Sequence, residues 1–205
     1  MMRCLVLLAA LSVAALCAAQ DITKKVEDLV SRLQSDDWKV RKEAEKQLVS
    51  LGEAALEPIR AIKTKTFDPD MAVKLARVLR GIREKMKADF FRAHPDIESL
   101  LKGGPFERER AIKLLAADGS AAAFLILLNM QAETRDINAQ RVIDRLIHKV
   151  AWKHMKLLLD IANDNQEEEK IRARAIVMLA SKGYVIDPRY LYSVLTGQQK
   201  ASKLM

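Results

Sequence analysis

The sequence predicts an all-α fold, a solenoid of about five helical pairs behind one N-terminal capping helix. Three observations predict it. Apolar residues recur at helical spacing, as at Val40, Ala44, Leu48 and Leu51, with Arg41, Lys42, Glu45 and Lys46 on the wet side. One short string recurs three times along the chain. No segment survives as a strand candidate; stretches such as LGEAAL and LASKGYVIDP read as turns between helices.

The string is R-x-x-A-x-x-x-L-x-x-x-G. It stands at Arg41, Ala44, Leu48 and Gly52, at Arg108, Ala111, Leu115 and Gly119, and at Arg172, Ala175, Leu179 and Gly183, with offsets of 67 and 64 residues. Each offset is about twice a helical pair, so a degenerate copy is expected in each gap. Gln140, Ile143, Ile147 and Ala151 supply one; Val73, Ala76 and Leu79 form an irregular one. In each copy the Ala lets two helices approach closely. The Leu fills space between layers, and the Gly permits a left-handed turn into the next helix. The Arg stem is expected to lie along the neighbouring repeat and reach a carboxylate there.

The elements follow in order. A capping helix near 22–34 uses Ile22, Val26, Leu29, Val30 and Leu33 as its apolar side. The first pair spans 37–51 and 54–65. Asp36 or Asp37 caps its start, Gly52 ends its first helix, and Pro58 lies within the first turn of the second. The second pair is irregular: a long helix at 69–93 stops at His94-Pro95, and a short one at 96–102 ends on Gly103-Gly104. That step is a candidate break, near 102–105, between two halves. Pairs at 105–117 and 120–132, 135–149 and 151–163, and 166–181 and 188–196 complete the domain, 20–196. Residues 197–205 read as a flexible polar tail.

Residues 1–19 read as a secretory signal peptide: Arg3, an apolar run from Leu5, and small residues up to Ala19. The run is short for a membrane span, and no second charge-free run follows it. A lipid attachment at Cys17 is disfavoured by Leu16 before it. Both cysteines, Cys4 and Cys17, lie in this segment, so the expected mature chain forms no disulfide. The formal charge is +8, and most of the excess falls between Arg60 and Arg92, which hold ten basic and four acidic residues. Such a stripe attracts phosphate, an acidic protein or an anionic surface, or simply solvates a helix face.

The run DDWKVRKEAEKQLVSLG, followed by an A-L-x-P-I helix, resembles HEAT-like repeats, most clearly at 36–62, 105–128 and 167–195. The resemblance implies a right-handed α-solenoid whose second helices line a concave binding side. It is specific for architecture and weak for activity. Some HEAT-like proteins are alkylpurine DNA glycosylases and others resemble bilin lyases. A signal peptide argues against both. Trp152 and Asp160, which stand eight residues apart, complete no such site.

A search for chemistry returns little. His94, His148 and His154 show no metal-ligand spacing, and His94 reads as a helix terminus. Asp68-Pro69-Asp70 reads as a helix cap, and Asn163 to Glu169 as a loop into an acidic first turn rather than a calcium site. No glycine-rich phosphate loop or nucleophile elbow is present. No catalytic residue, metal or cofactor is therefore expected. The reading is an exported protein, periplasmic or secreted, that acts as a non-catalytic scaffold or adaptor. It would bind an acidic or amphipathic protein segment through Arg60, Lys63, Lys153, Lys156 and Tyr190 on second helices. The alternatives are a polyanion or nucleic-acid binder using 60–92, which export disfavours, and an enzyme on the same scaffold. Helix 120–132, apolar all round, is expected to be buried by its neighbours. Trp38 is expected to cover the preceding helix, and Trp152 to join the core with Met155 and Leu159.

Overall fold

Three helices open on proline and three of the predicted glycines are left-handed, so the chain's punctuation is the natural entry to its fold. The computed structural model describes residues 20–134, 136–164 and 166–184. Among these residues the protein is all-α: every regular element is helical. The signal peptide expected at 1–19, the helix expected at 188–196 and the tail at 197–205 lie outside the described residues. The chain divides into two compact units, 1–85 and 86–205, and the division falls inside one long helix.

The first unit holds α1 (20–32), α2 (Trp38–Ser50), a 3-10 turn (Gly52–Ala55), α3 (Leu56–Lys65) and most of α4 (Pro69–Ala93). Asp37 caps α2 by accepting from Lys39 N at 2.8 Å, and Asp68 receives Asp70 N at 2.9 Å ahead of α4. Pro69 needs no N–H in that first turn. The core gathers Val26, Leu29 and Leu33 from α1, Ala44 and Leu48 from α2, Ile59 from α3, and Leu75, Leu79 and Ile82 from α4. Lys74 Nζ donates to Leu33 O at 3.2 Å, closing the end of α1. Gly81 permits close approach of α4 to α2: a Cβ there would sit 2.7 Å from Val49 Cγ2.

The second unit holds the end of α4, then α5 (Pro95–Lys102), α6 (Pro105–Asp118), α7 (Ala121–Glu133), α8 (Ile137–Val150), a 3-10 turn (Ala151–His154), α9 (Met155–Ala162) and α10 (Glu169–Ser181). The Gly103-Gly104 step lies inside this unit and joins α5 to α6, which pack together. Ser120 and Asp136 cap α7 and α8 through their side chains. Helix α7 is central: α6, α8 and α10 all pack on it, and Ala123 through Leu128 are all buried. Burial on every side explains why its sequence has no wet face. Helix α10 packs on α9 and α7.

The recurring string has one local structure. Ala44, Ala111 and Ala175 are buried, as are Leu48, Leu115 and Leu179. Gly52, Gly119 and Gly183 have φ of 63°, 63° and 85°, the left-handed region that a Cβ disfavours. In the first two copies the arginine bonds backbone carbonyls rather than a carboxylate. Arg41 Nη1 donates to Ser35 O and Asp36 O at 2.7 Å each, and Arg108 Nε donates to Gly103 O at 3.1 Å. It ties down the carbonyls of the preceding loop, which no helix satisfies. In the degenerate copy Ile143, Ile147 and Ala151 are fully buried, and Ala151 stays right-handed at φ −53°.

Candidate binding surfaces

The surface residues expected from sequence fall in both units, and each group stands by itself. On α3, Arg60 projects from a half-buried position and pairs with Glu57 at 2.7 Å; only 14% of its side chain is exposed. Lys63, one turn later, is half-buried. Arg60 is thus a flank residue already committed within its own helix, and Lys63 shares its half-buried setting.

In the second unit, Lys153 and Lys156 are exposed around the turn from α8 to α9. Tyr190 lies outside the described residues. Trp152 corrects the sequence reading: it is not core but 64% exposed, with Lys153 Nζ 5.7 Å from its ring centre. Met155 and Leu159, whose helical face the sequence gives it, are themselves only half-buried, so that face is a flank and not core. The buried positions there are Leu157, Leu158, Ile161 and Ala162. Trp38 departs from expectation in the same way. It is 56% exposed, with Lys42 Nζ 5.5 Å from its ring centre, and it borders a shallow groove on the outside of α2 with Lys46 and Val49.

The basic run from Arg60 to Arg92 is not a uniform free stripe. Arg83 is buried, Lys74 is bound to Leu33 O, and Arg92 pairs with Asp89 at 2.9 Å. Exposed cations in that run, such as Arg77, stand between committed ones.

The histidines have structural neighbours. His94 caps α5 and lies 4.6 Å from the Phe90 ring. His154 stacks on Phe124 at 4.7 Å, and its Nε2 lies 3.1 Å from Gly119 O, which fastens the α9 turn to the start of α7. Asp164, in the loop before α10, is 1% exposed, and its Oδ1 accepts from Gln166 N. It organises a turn in the manner of an Asx motif. Gln131 is also buried and donates to Asp144 across α7 and α8. Among the described residues no group of three or more His, Cys, Asp or Glu side chains is placed to hold a metal ion. No helix among them is long and apolar enough to cross a membrane.

One concavity in the second unit is large enough for a side chain or short segment. It measures about 420 Å³ and lies where α6 and α8 begin and α7 ends, between Phe106, Ile112, Met130, Thr134 and Val142. Phe106 stands 87% exposed on its rim. Its charged rim is mixed: Glu109 pairs with Lys113 at 2.6 Å, Asp136 caps α8, and Arg108 holds Gly103 O. The sequence reading missed this groove, because it arises from three helix ends rather than from one face.

Comparison of the chain with protein-family models, with curated proteins and with solved structures found no match.

Proposed function

We propose that the chain is a HEAT-like repeat protein, exported to the periplasm or beyond, that works as a non-catalytic adaptor. Its second helices would offer a concave side to an acidic or amphipathic protein segment. The observation that carries the reading is the recurrence described above: three copies of one string bury the same two side chains and turn on the same left-handed glycine. A chain built by stacking like units gains an extended surface rather than an enclosed cleft, and such surfaces serve recognition. Half-buried Lys63 on α3 and exposed Lys153 and Lys156 around the start of α9 are the cations that would make the contact. Arg60 supports α3 through its ion pair with Glu57 and contributes less to contact.

A pull-down from cell-envelope extract tests the proposal, with the variant Lys63→Glu, Lys153→Glu, Lys156→Glu run beside the wild type at low and high salt. The expected result is one discrete protein retained by the wild type and lost by the variant. Retention of nucleic acid or mixed anions alone, all released by salt, would refute it in favour of a general polyanion surface.

A further inference from the structure

The outward face of α8 carries a pattern that the adaptor reading does not use. Ile143 and Ile147 point α8 into the core and are fully buried. On the opposite side stand Arg141, Arg145 and Lys149, all exposed. At about 100° per residue they span an arc of about 80°, and at about 1.5 Å per residue a length of about 12 Å. Trp152 continues the stripe: three residues past Lys149, a right-handed helical turn of either kind brings it into the same arc. It is 64% exposed, and Lys153 leans over its ring. The only acid in α8 is Asp144, half-buried at the edge of the face and bonded to Gln131. Among the described residues no carboxylate pairs with Arg141, Arg145 or Lys149.

We infer that this face of α8, with Trp152 at its end, docks the protein on an anionic lipid surface. Three unneutralised cations in one row attract an anionic partner. The exposed indole decides which kind. A polysaccharide or polyphosphate gives an isolated tryptophan no apolar layer to enter, and a nucleic acid, whose bases could stack on it, is disfavoured on the export reading; the headgroup region of a bilayer accepts an indole with its apolar body inward and its N–H near water. Lys153 over the ring keeps a further charge at the same depth, where its stem lies along apolar surface and its ammonium reaches phosphate. The contact is peripheral, since the apolar face of α8 is already spent in the core.

The test is partitioning of the full chain onto vesicles of phosphatidylcholine alone or mixed with phosphatidylglycerol, with residues 1–19 present in every arm so that their contribution cancels. The chain has two tryptophans, so a Trp38→Phe background leaves Trp152 as the only indole reporter. The expected result is preference for the anionic vesicles, lost at high salt, with a blue shift of Trp152 emission and quenching by brominated lipid. Each cation at an anionic surface is worth roughly a fivefold gain, so Arg141→Gln, Arg145→Gln, Lys149→Gln together should lower partitioning roughly 100-fold. These positions face solvent, and an unchanged circular-dichroism spectrum and melting curve certify the variant. Equal binding to both vesicle types, or anionic binding that the triple variant retains, overturns the inference. So does capture by heparin with no change in Trp152 emission on vesicles, which would assign the face to a soluble polyanion. The substitutions avoid Lys63, Lys153 and Lys156, so this test and the pull-down fail independently.

Discussion

Gly81 poses a contest between two local effects, and its outcome can be worked out from the contact of α4 with α2. It lies mid-helix in α4, where replacing glycine by alanine ordinarily stabilises a helix by about 1 kcal/mol. Here the added Cβ would lie 2.7 Å from Val49 Cγ2, with Cγ1 at 3.7 Å. Valine is stiff at χ1, so it cannot swing its methyl aside without an off-rotamer cost or a shift of α2. Overpacking at such a site costs about 1–3 kcal/mol. The steric term is therefore the larger, and Gly81→Ala should destabilise by up to about 2 kcal/mol. In a Val49→Ala background the clashing methyl is gone. The same substitution should then stabilise by about 1 kcal/mol, so the sign reverses. Urea unfolding followed by circular dichroism on the two single variants and the double variant closes the cycle. A Gly81→Ala protein more stable than the wild type with Val49 intact would refute the reasoning, because it would mean that α2 and α4 do not meet at that distance.

Other consequences can be checked with the same assay. Phe124, fully buried and stacked on His154, should cost about 3–5 kcal/mol when changed to alanine, whereas Phe106, 87% exposed, should change stability by less than about 0.5 kcal/mol. Comparable losses at the two sites would contradict their placement. Arg41 holds two carbonyls from one guanidinium nitrogen, so Arg41→Ala should cost about 1–3 kcal/mol, and Arg41→Lys should recover only part of it. Full recovery by lysine would show that charge alone matters there.

Helix boundaries were legible wherever a residue type constrains the backbone directly. The span 69–93 was readable because Pro69 opens α4 behind the Asp68 cap and Pro95 forbids its continuation. Burial of α7 was readable because a helix with no polar face has few alternatives. What failed depended on three-dimensional detail. Trp152 was misplaced because the face it was assigned with Met155 and Leu159 is only half-buried, while the core takes Leu157, Leu158 and Ile161, and spacing alone does not say which apolar face a neighbour covers. The partners of Arg41 and Arg108 are backbone carbonyls, which are invisible in a residue string. Arg60 is paired with Glu57 one turn behind it, a pairing that the spacing permits but does not impose. Asp164 gave a faint signal as the Asx residue of a polar loop, yet its near-complete burial depends on how that loop packs. The row on α8 was present in the spacing of Arg141, Arg145 and Lys149. The family resemblance assigns binding to second helices, and so it raised no expectation there.

The fourth position of the repeated string gives the sharpest link between residue type and backbone, because one copy breaks the rule. Gly119 ends α6 in the left-handed region, and a Cβ there would find only Ala116 O, at 3.9 Å. Space is therefore not the obstacle, and Gly119→Ala should cost about 1–2 kcal/mol from backbone conformation alone. Asparagine, which tolerates that region better, should cost less. Ala151 holds the equivalent position in the degenerate copy but is right-handed and fully buried. There the reverse change, Ala151→Gly, should also destabilise, by about 1 kcal/mol from helix propensity plus about 0.8 kcal/mol for the lost methyl. The same two residues exchanged in opposite directions should both lower the urea midpoint. If either exchange were neutral, the two copies would not differ in their turn. At position 151 the right-handed backbone leads straight into the 3-10 turn that carries the exposed Trp152, so the fourth position of the string sets the local path of the chain even where glycine is absent.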